Sequence, residues 1–266
     1  ESFFNQDKSK FFSKINLKLV KLKIENELNS LDKKKIGKSE ILFNKLRRIA
    51  EYSIEKDNFK FRIFDKIDQP NVIYKGKFNL KPFYATLEGN LDELNLNYLF
   101  GSNPLIVQLL KSEILNNQNI NFNLNIIAEK IYNNFNLKNI NLKSKIQDGL
   151  IDTDNTVFEW KNFADFELFE SLIFLRNGEL VFDGKLKIDI NKYNEIYKYL
   201  LTPKNYRTEI QKVDLNFTYN FDQNIAELKD IKIDNKINQN VNKILNNIII
   251  KKDNLQNKIY FKNLLN

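Results

Sequence analysis

Residues 119–126, NINFNLNI, set Ile120, Phe122, Leu124 and Ile126 at every second position with asparagine between them. Successive side chains of a strand point to opposite faces, so this spacing predicts a strand with one dry face and one wet face. The same period recurs along the chain. Ile15, Leu17 and Leu19 share one phase, as do Phe59, Phe61 and Ile63, and Phe78 with Leu80. Phe83, Ala85 and Leu87 follow after Pro82 resets the phase, then Leu91. Later come Phe135 and Leu137, Ile140 and Leu142, Phe166 and Leu168, and Leu180 and Phe182. Leu186, Ile188 and Ile190 and then Val213, Leu215, Phe217 and Tyr219 complete the series. Asp148-Gly149, Asn177-Gly178 and Asp183-Gly184 have the composition of hairpin turns. The expected fold is mainly β, built as a long antiparallel meander.

Three short amphipathic helices are expected to interrupt it. Asn103-Pro104 reads as an N-cap followed by proline at the first helical position, with Ile106, Leu109, Leu110 and Ile114 on one face. The second runs from about Asn191 to Leu201, aligns Tyr193, Ile196, Tyr197 and Leu200, and is closed by Pro203. The third, NKINQNVNKILNNIII, aligns Ile237, Val241, Ile244, Leu245 and Ile248. Such stripes ordinarily cap a core; resting on a membrane surface is the other use of the same pattern. No Pro/Gly/Ser-rich linker divides the chain.

Composition removes several classes of function. The chain has no cysteine and no histidine, which takes away thiolate chemistry, the commonest metal ligands and the commonest general base. No phosphate-cradling glycine loop and no nucleophile elbow is present. Asp152 with Asp154, and Asp165 with Glu167, are pairs of carboxylates two apart, and would act as acid and base only if a cleft brought them together. The expectation is therefore no enzyme, no cofactor and no metal. Net charge is +8, but five arginines stand among scattered lysines, a pattern that argues against a nucleic-acid reader and suits anionic lipid head groups at least as well. Lys33–Lys35 and Arg47–Arg48 read as solvated turns or strand ends, and Trp160 as a side chain packed at a strand edge. The absence of methionine, including at Glu1, implies that a longer chain has been cut, so that any leader or anchor would precede it.

A sheet that is dry on one side must hide that side. It can close on itself around its own side chains, or curl into a trough whose occupants are lipid tails. Each buried CH₂ is worth about 0.8 kcal/mol, so a long acyl chain would offset an open groove. Periodicity does not choose between the two.

From about Gly76 to the end, the order of features resembles the C-terminal region of AsmA-like proteins. The stretches that carry the likeness are DGLIDTDNTVFEW (148–160), NGELVFDGKLKIDI (177–190), LLTPKNYR (200–207), VDLNFTYNF (213–221), LKDIKIDN (228–235) and the terminal Asn-rich segment. Residues 1–75 have the same texture without a recognised motif. The resemblance implies a periplasmic β-rich body held to the inner membrane by an N-terminal anchor that lies outside this chain. It further implies a long, curved antiparallel sheet forming an open apolar groove, and non-enzymatic phospholipid transport between membranes or outer-membrane assembly. Phospholipid or another acyl-chain lipid, and outer-membrane components, are the implied partners, without nucleic acid. From strand phase, the groove floor is expected at Phe78, Leu80, Ile120, Phe122, Leu124, Ile126, Phe135, Leu137, Phe166, Leu168, Leu215 and Phe217. Lysines at the rim or on the terminal helix would hold anionic head groups by salt-sensitive attraction. The rival expectation is a closed-core β scaffold that aids membrane-protein assembly.

Overall fold

Alternation on this scale does produce strands. In a computed structural model, which describes residues 2–5, 8–18, 21–31, 34–43, 46–65, 71–95, 110–112, 120–237, 239, 242 and 249–251, the chain is mainly β. It divides into two compact units, residues 1–91 with 119–126 and residues 92–118 with 127–266.

The first unit is a run of hairpins. Strands β1 (Ser2–Asn5), β2 (Lys8–Leu17), β3 (Leu22–Leu31), β4 (Lys34–Phe43), β5 (Leu46–Glu55), β6 (Asn58–Phe64), β7 (Val72–Leu80) and β8 (Phe83–Leu94) each pair antiparallel with the next. The register is unbroken from Ser9↔Ser30 to Leu80↔Phe83, apart from one shift between Ile63 and Phe64. Leu80 faces Phe83 across a turn at Lys81-Pro82, the phase reset expected at that proline.

Strand β9 (Asn121–Ile131) departs from the meander. In the first unit, Asn123 donates to Tyr84 OH at 3.0 Å, and a Cβ added at Gly89 would lie 3.3 Å from Ile126 Cγ1. In the second, Lys130 pairs with Glu93 at 2.8 Å and the Tyr132 N–H donates to Leu94 O at 3.0 Å. Partner numbers rise together along both strands, so β8 and β9 run side by side in the same direction. Parallel neighbours need a crossover connection of a dozen residues or more, usually helical, where a hairpin suffices for antiparallel ones. Residues 95–120 join the two strands, and of this connection only 95, 110–112 and 120 are among the described residues. Leu110 and Lys111 are helical within it, and the rest of the helix expected after Pro104 lies outside the described residues.

The remainder of the second unit returns to antiparallel pairing. It comprises β10 (Asn134–Gln147), β11 (Leu150–Asp152), β12 (Val157–Trp160), β13 (Ala164–Arg176), β14 (Glu179–Ile190), β15 (Lys212–Asn220), β16 (Ile225–Ile233), β17 (Lys236–Ile237) and β18 (Ile249–Lys251). Strand β10 pairs with β11 and β12, and β13 with β11, β12 and β14. Asp148-Gly149 and Asn177-Gly178 form turns with positive φ at both residues, as their composition requires. Asp183-Gly184 corrects the expectation of a third such turn, because it lies inside β14, where Gly184 faces Phe217. A Cβ there would approach Ser171 Cβ to 2.7 Å, so the glycine serves close packing between strands. Register shifts beside Asn139, Glu170 and Asp230, all at positive φ, mark bulges that move the apolar phase to the other parity. That is why Leu137 gives way to Ile140, and Leu168 to Ile173.

The second helix forms as expected: α1 spans Tyr193–Tyr199, buries Tyr197, and stops before Leu201, whose φ is 58°. The third is corrected at both ends. Asp234-Asn235 makes a turn into β17, and the β-branched Ile249-Ile250 pairs with Ala226 and Glu227 in β18. Between them Gln239 and Asn242 are helical, and Asn242 Oδ1 accepts the Ile231 N–H beside the Asp230 bulge at 2.7 Å. Val241, Ile244, Leu245 and Ile248, like Leu19 and Lys33, lie outside the described residues.

Candidate functional site

Register assigns every side chain of the first unit to one of two faces. The polar face is a charge ladder: Lys10 meets Glu27 at 2.6 Å, Lys14 meets Glu25 at 2.9 Å, Arg47 meets Glu40 at 2.7 Å and Lys75 meets Glu88 at 2.7 Å. Lys23 adds a second contact to Glu25, 2.8 Å away. Held first by Lys23 and then by Lys14, the Glu25 carboxyl is drawn down to about 2. The other face carries Phe11 and Ile15 of β2, Leu22, Ile24 and Leu28 of β3, and Ile41 of β4. It continues through Ile54, Phe59, Phe61, Phe78, Leu80, Phe83 and Leu87.

Along this apolar face the rings line up. Tyr52 and Phe59 stack with centroids 5.3 Å apart, Phe59 and Phe78 at 4.5 Å, and Phe78 and Phe83 at 6.5 Å, giving a row of rings across four strands. Glycine makes room at its head: an added Cβ at Gly37 would lie 2.0 Å from Tyr52 Cζ, so the ring lies directly over that backbone. The Tyr52 hydroxyl donates to Asn26 Oδ1 at 2.6 Å, and Ser39 donates to the same oxygen at 2.7 Å. Arg48 reaches Asp65 at 2.9 Å on this side, so the polar groups on the face satisfy one another.

Size and burial are largely inverted on this face. Most of the residues shielded from water are small, Gly37, Ser39, Ala50, Ala85 and Gly89, with Ile126 the large exception. Most of the other large residues are half-buried, with Phe11, Ile15 (47 %) and Leu80 (53 %) exposed, while Phe12, Ile36 and Leu42 are exposed on the charged face.

The expected floor residues fall into two sets. Phe78, Leu80, Phe122, Leu124 and Ile126 share the apolar side of the first unit, with Ile126 buried beside Gly89 and Ile120 one position ahead of β9. In the second unit Phe166, Leu168, Leu215 and Phe217 share a face with Leu186 and Ile188, and Leu137 pairs with Trp160. Phe135 is the second residue of β10, and its side chain lies outside the described residues.

The second unit buries several large side chains, although Ile127, Leu150, Leu172 and Leu201 are exposed. Leu180 is 1 % exposed, and Ile151 and Ile173 pack with it against Leu110, Ile146 and Phe182. Leu215 and Ile231 form a second cluster with Leu186, Ile188 and Phe217. Trp160 stands edge-on to Phe163 and to Tyr199 of α1, a packed end of β12 as its position implied. Lys111 pairs with Asp222, which also accepts the Leu180 N–H, tying the crossover to this core.

The carboxylates singled out in the sequence have structural occupations. Asp154 Oδ1 accepts from Ser171 N at 2.7 Å and Ser171 Oγ at 2.9 Å, and Thr153 Oγ1 donates to Ser171 Oγ at 2.8 Å. Asp152 caps the Asp154 N–H, and Asp165 accepts from Asn191. Glu167 lies 3.7 Å from Lys187. Among the described residues no cluster of potential metal ligands occurs, and no helix is long and apolar enough to cross a membrane.

No protein family model, curated protein or solved structure matches the chain. The arrangement itself therefore carries the functional reading. Sequence reasoning missed most of the first unit's apolar face, including the ring row and the Asn26 node. Tyr52, Phe59 and Phe78 are far apart in the chain, and only register sets their rings together. A signal was present in the repeated alternation of residues 22–64, which paired in consecutive hairpins would have given the same face.

Proposed function

We propose that the first unit binds the acyl chains of lipids along its apolar face, and that the protein works without chemistry in moving or assembling lipid in a bacterial envelope. The observation that carries the reading is the distribution of size on this face: most of its buried residues are small, and its large apolar ones, Ile126 apart, are half-buried or exposed. A self-sufficient core buries its large residues first, since each contributes most when removed from water. Tails lying on Phe11, Ile15, Phe59, Phe78, Leu80 and Phe122 would supply the missing cover at about 0.8 kcal/mol per buried CH₂. The likeness of residues 76–266 to AsmA-like proteins supports a periplasmic body of this kind.

The experiment is purification from membrane-containing cells in mild conditions, solvent extraction and lipid mass spectrometry, on wild type and on Phe78→Asp with Phe122→Asp. Phospholipid in reproducible, near-stoichiometric amount in the wild type, lost in the folded double variant, is expected. Lipid-free wild-type protein, or equal lipid in both, overturns the proposal. A closed-core scaffold is the second reading, favoured by the burial of Leu180, Ile173 and Leu215 in the second unit. That unit would then support the first and carry no lipid of its own.

A further inference from the structure

On the polar face of the first unit, one pair of neighbouring strands sets basic residues against each other. Most of its facing charges are opposite, as in Lys10 with Glu27, Lys14 with Glu25 and Arg62 opposite Glu51, and where Glu25 faces Glu40 the two carboxylates are held by Lys14, Lys23 and Arg47. Between β6 and β7, however, Lys60 stands directly opposite Lys77, and Arg62 directly opposite Lys75. Like charges in facing positions of a sheet destabilise it, and neither strand is at an edge where lysine would deter pairing. The Arg62–Lys75 row is flanked by Glu51 and Glu88, and Glu88 pairs with Lys75. The Lys60–Lys77 row is flanked by Ser53 and Thr86. Hydroxyl, ammonium, ammonium and hydroxyl thus follow one another over about 14 Å, at the ~4.8 Å spacing of strands. Lys60, Arg62 and Lys77 make no ion pair among the described residues. A hollow beside the row is lined by Lys34, Ser53, Lys60 and Arg62, with Glu51 as its one carboxylate.

We propose that the row Ser53–Lys60–Lys77–Thr86, with Arg62 beside it, is a phosphate-binding site on the face opposite the apolar one. Two ammonium groups at strand spacing bracket a phosphate and the flanking hydroxyls donate to its remaining oxygens, so the repulsion within the row is relieved when the anion binds. The phosphate can belong to an anionic lipid surface or to a small soluble anion. The site is independent of the acyl-chain reading, since it lies on the other face and uses none of the same side chains.

Two double variants of the full chain carry the same change in net charge. Lys60→Ser with Lys77→Ser removes the site; Lys10→Ser with Lys14→Ser removes two lysines from the paired ladder. Binding is read by co-sedimentation with phosphatidylcholine vesicles, with and without phosphatidylglycerol, and by calorimetry with inorganic pyrophosphate. At about one factor of five per lysine near an anionic surface, the first variant should bind phosphatidylglycerol vesicles roughly thirtyfold more weakly, with the second unchanged. That result assigns the phosphate to a membrane surface. Pyrophosphate binding lost in the first variant alone, with no vesicle response, assigns it to a soluble anion. Lys60→Glu guards against misfolding, because it converts the facing pair to an ion pair and should raise Tm while abolishing binding. Equal weakening by the two double variants, or no binding of either probe by the wild type, overturns the proposal.

Discussion

The two units obey the same period-two rule and reach different ends. In the first, seven consecutive hairpins keep one register almost throughout, and most large residues of the apolar face are half-buried while most of its buried ones are small. In the second, bulges beside Asn139, Glu170 and Asp230 switch the apolar phase along three strands, and α1 and the helical residues near Leu110 pack against the sheet. A bulge bends its strand and raises the local twist, which brings residues of both parities toward one core. Alternation therefore supplies a dry face, while bulges and crossovers decide whether the protein itself covers it. Among its described residues the first unit has the face and a single register shift, between Ile63 and Phe64.

The sharpest test of that contrast is at glycine. In the second unit Gly184→Val would drive its Cβ against Ser171, with Ser171 Cα only 3.1 Å away. Backbone cannot step aside, so a loss of about 3 kcal/mol or more is expected, read as a large fall in the urea midpoint. Gly37→Val in the first unit meets the Tyr52 ring, which can swing out over an open face. The expected cost there is about 1–2 kcal/mol, with loss of the bond to Asn26. Equal costs would mean that the first unit's face is packed as tightly as the second's. A core comparison follows at smaller amplitude. Leu180→Ala should lose about 2–4 kcal/mol, and Phe59→Ala, half-buried, about 1 kcal/mol, in the same denaturation series.

How far the sequence foretold this differs between the units. The strand phases around Phe78, Phe122, Phe166 and Leu215 were legible because alternation is local, and so were the turns at Asp148-Gly149 and Asn177-Gly178. The same composition misled at Asp183-Gly184: a glycine chosen for close approach to Ser171 looks like one chosen for positive φ. The parallel pairing of β8 with β9 was not legible, although Asn103-Pro104 announced a helix in the connection. Nothing local distinguishes a helix that caps a meander from one that carries the chain across to a parallel neighbour. The facing Lys60 and Lys77 were invisible for a related reason, since only register makes two distant lysines opposite.

Polar groups separate the units at a finer scale. Asp154→Ala in the second unit strips the acceptor from a buried Ser171 N–H and hydroxyl, and a loss of about 1–3 kcal/mol is expected, because unpaired buried donors keep their desolvation cost. The first unit's counterpart is Glu25, whose partners Lys23 and Lys14 lie on an exposed ladder. Its carboxyl sits at about 2 in the fold, against 4.5 unperturbed. A depressed carboxyl stabilises the fold while ionised, so its contribution is present above pH about 4.5 and disappears as pH falls toward about 2. Glu25→Gln should therefore cost a small amount at neutral pH, where solvent and salt screen the exposed pair, and the deficit should shrink as pH falls from about 4.5 toward about 2. The measurement is the urea midpoint of both proteins at pH 7 and at pH 3. A large deficit at pH 7 would show the ladder to be a structural support of the open sheet, and the first unit would then be held by its wet face as much as by its dry one.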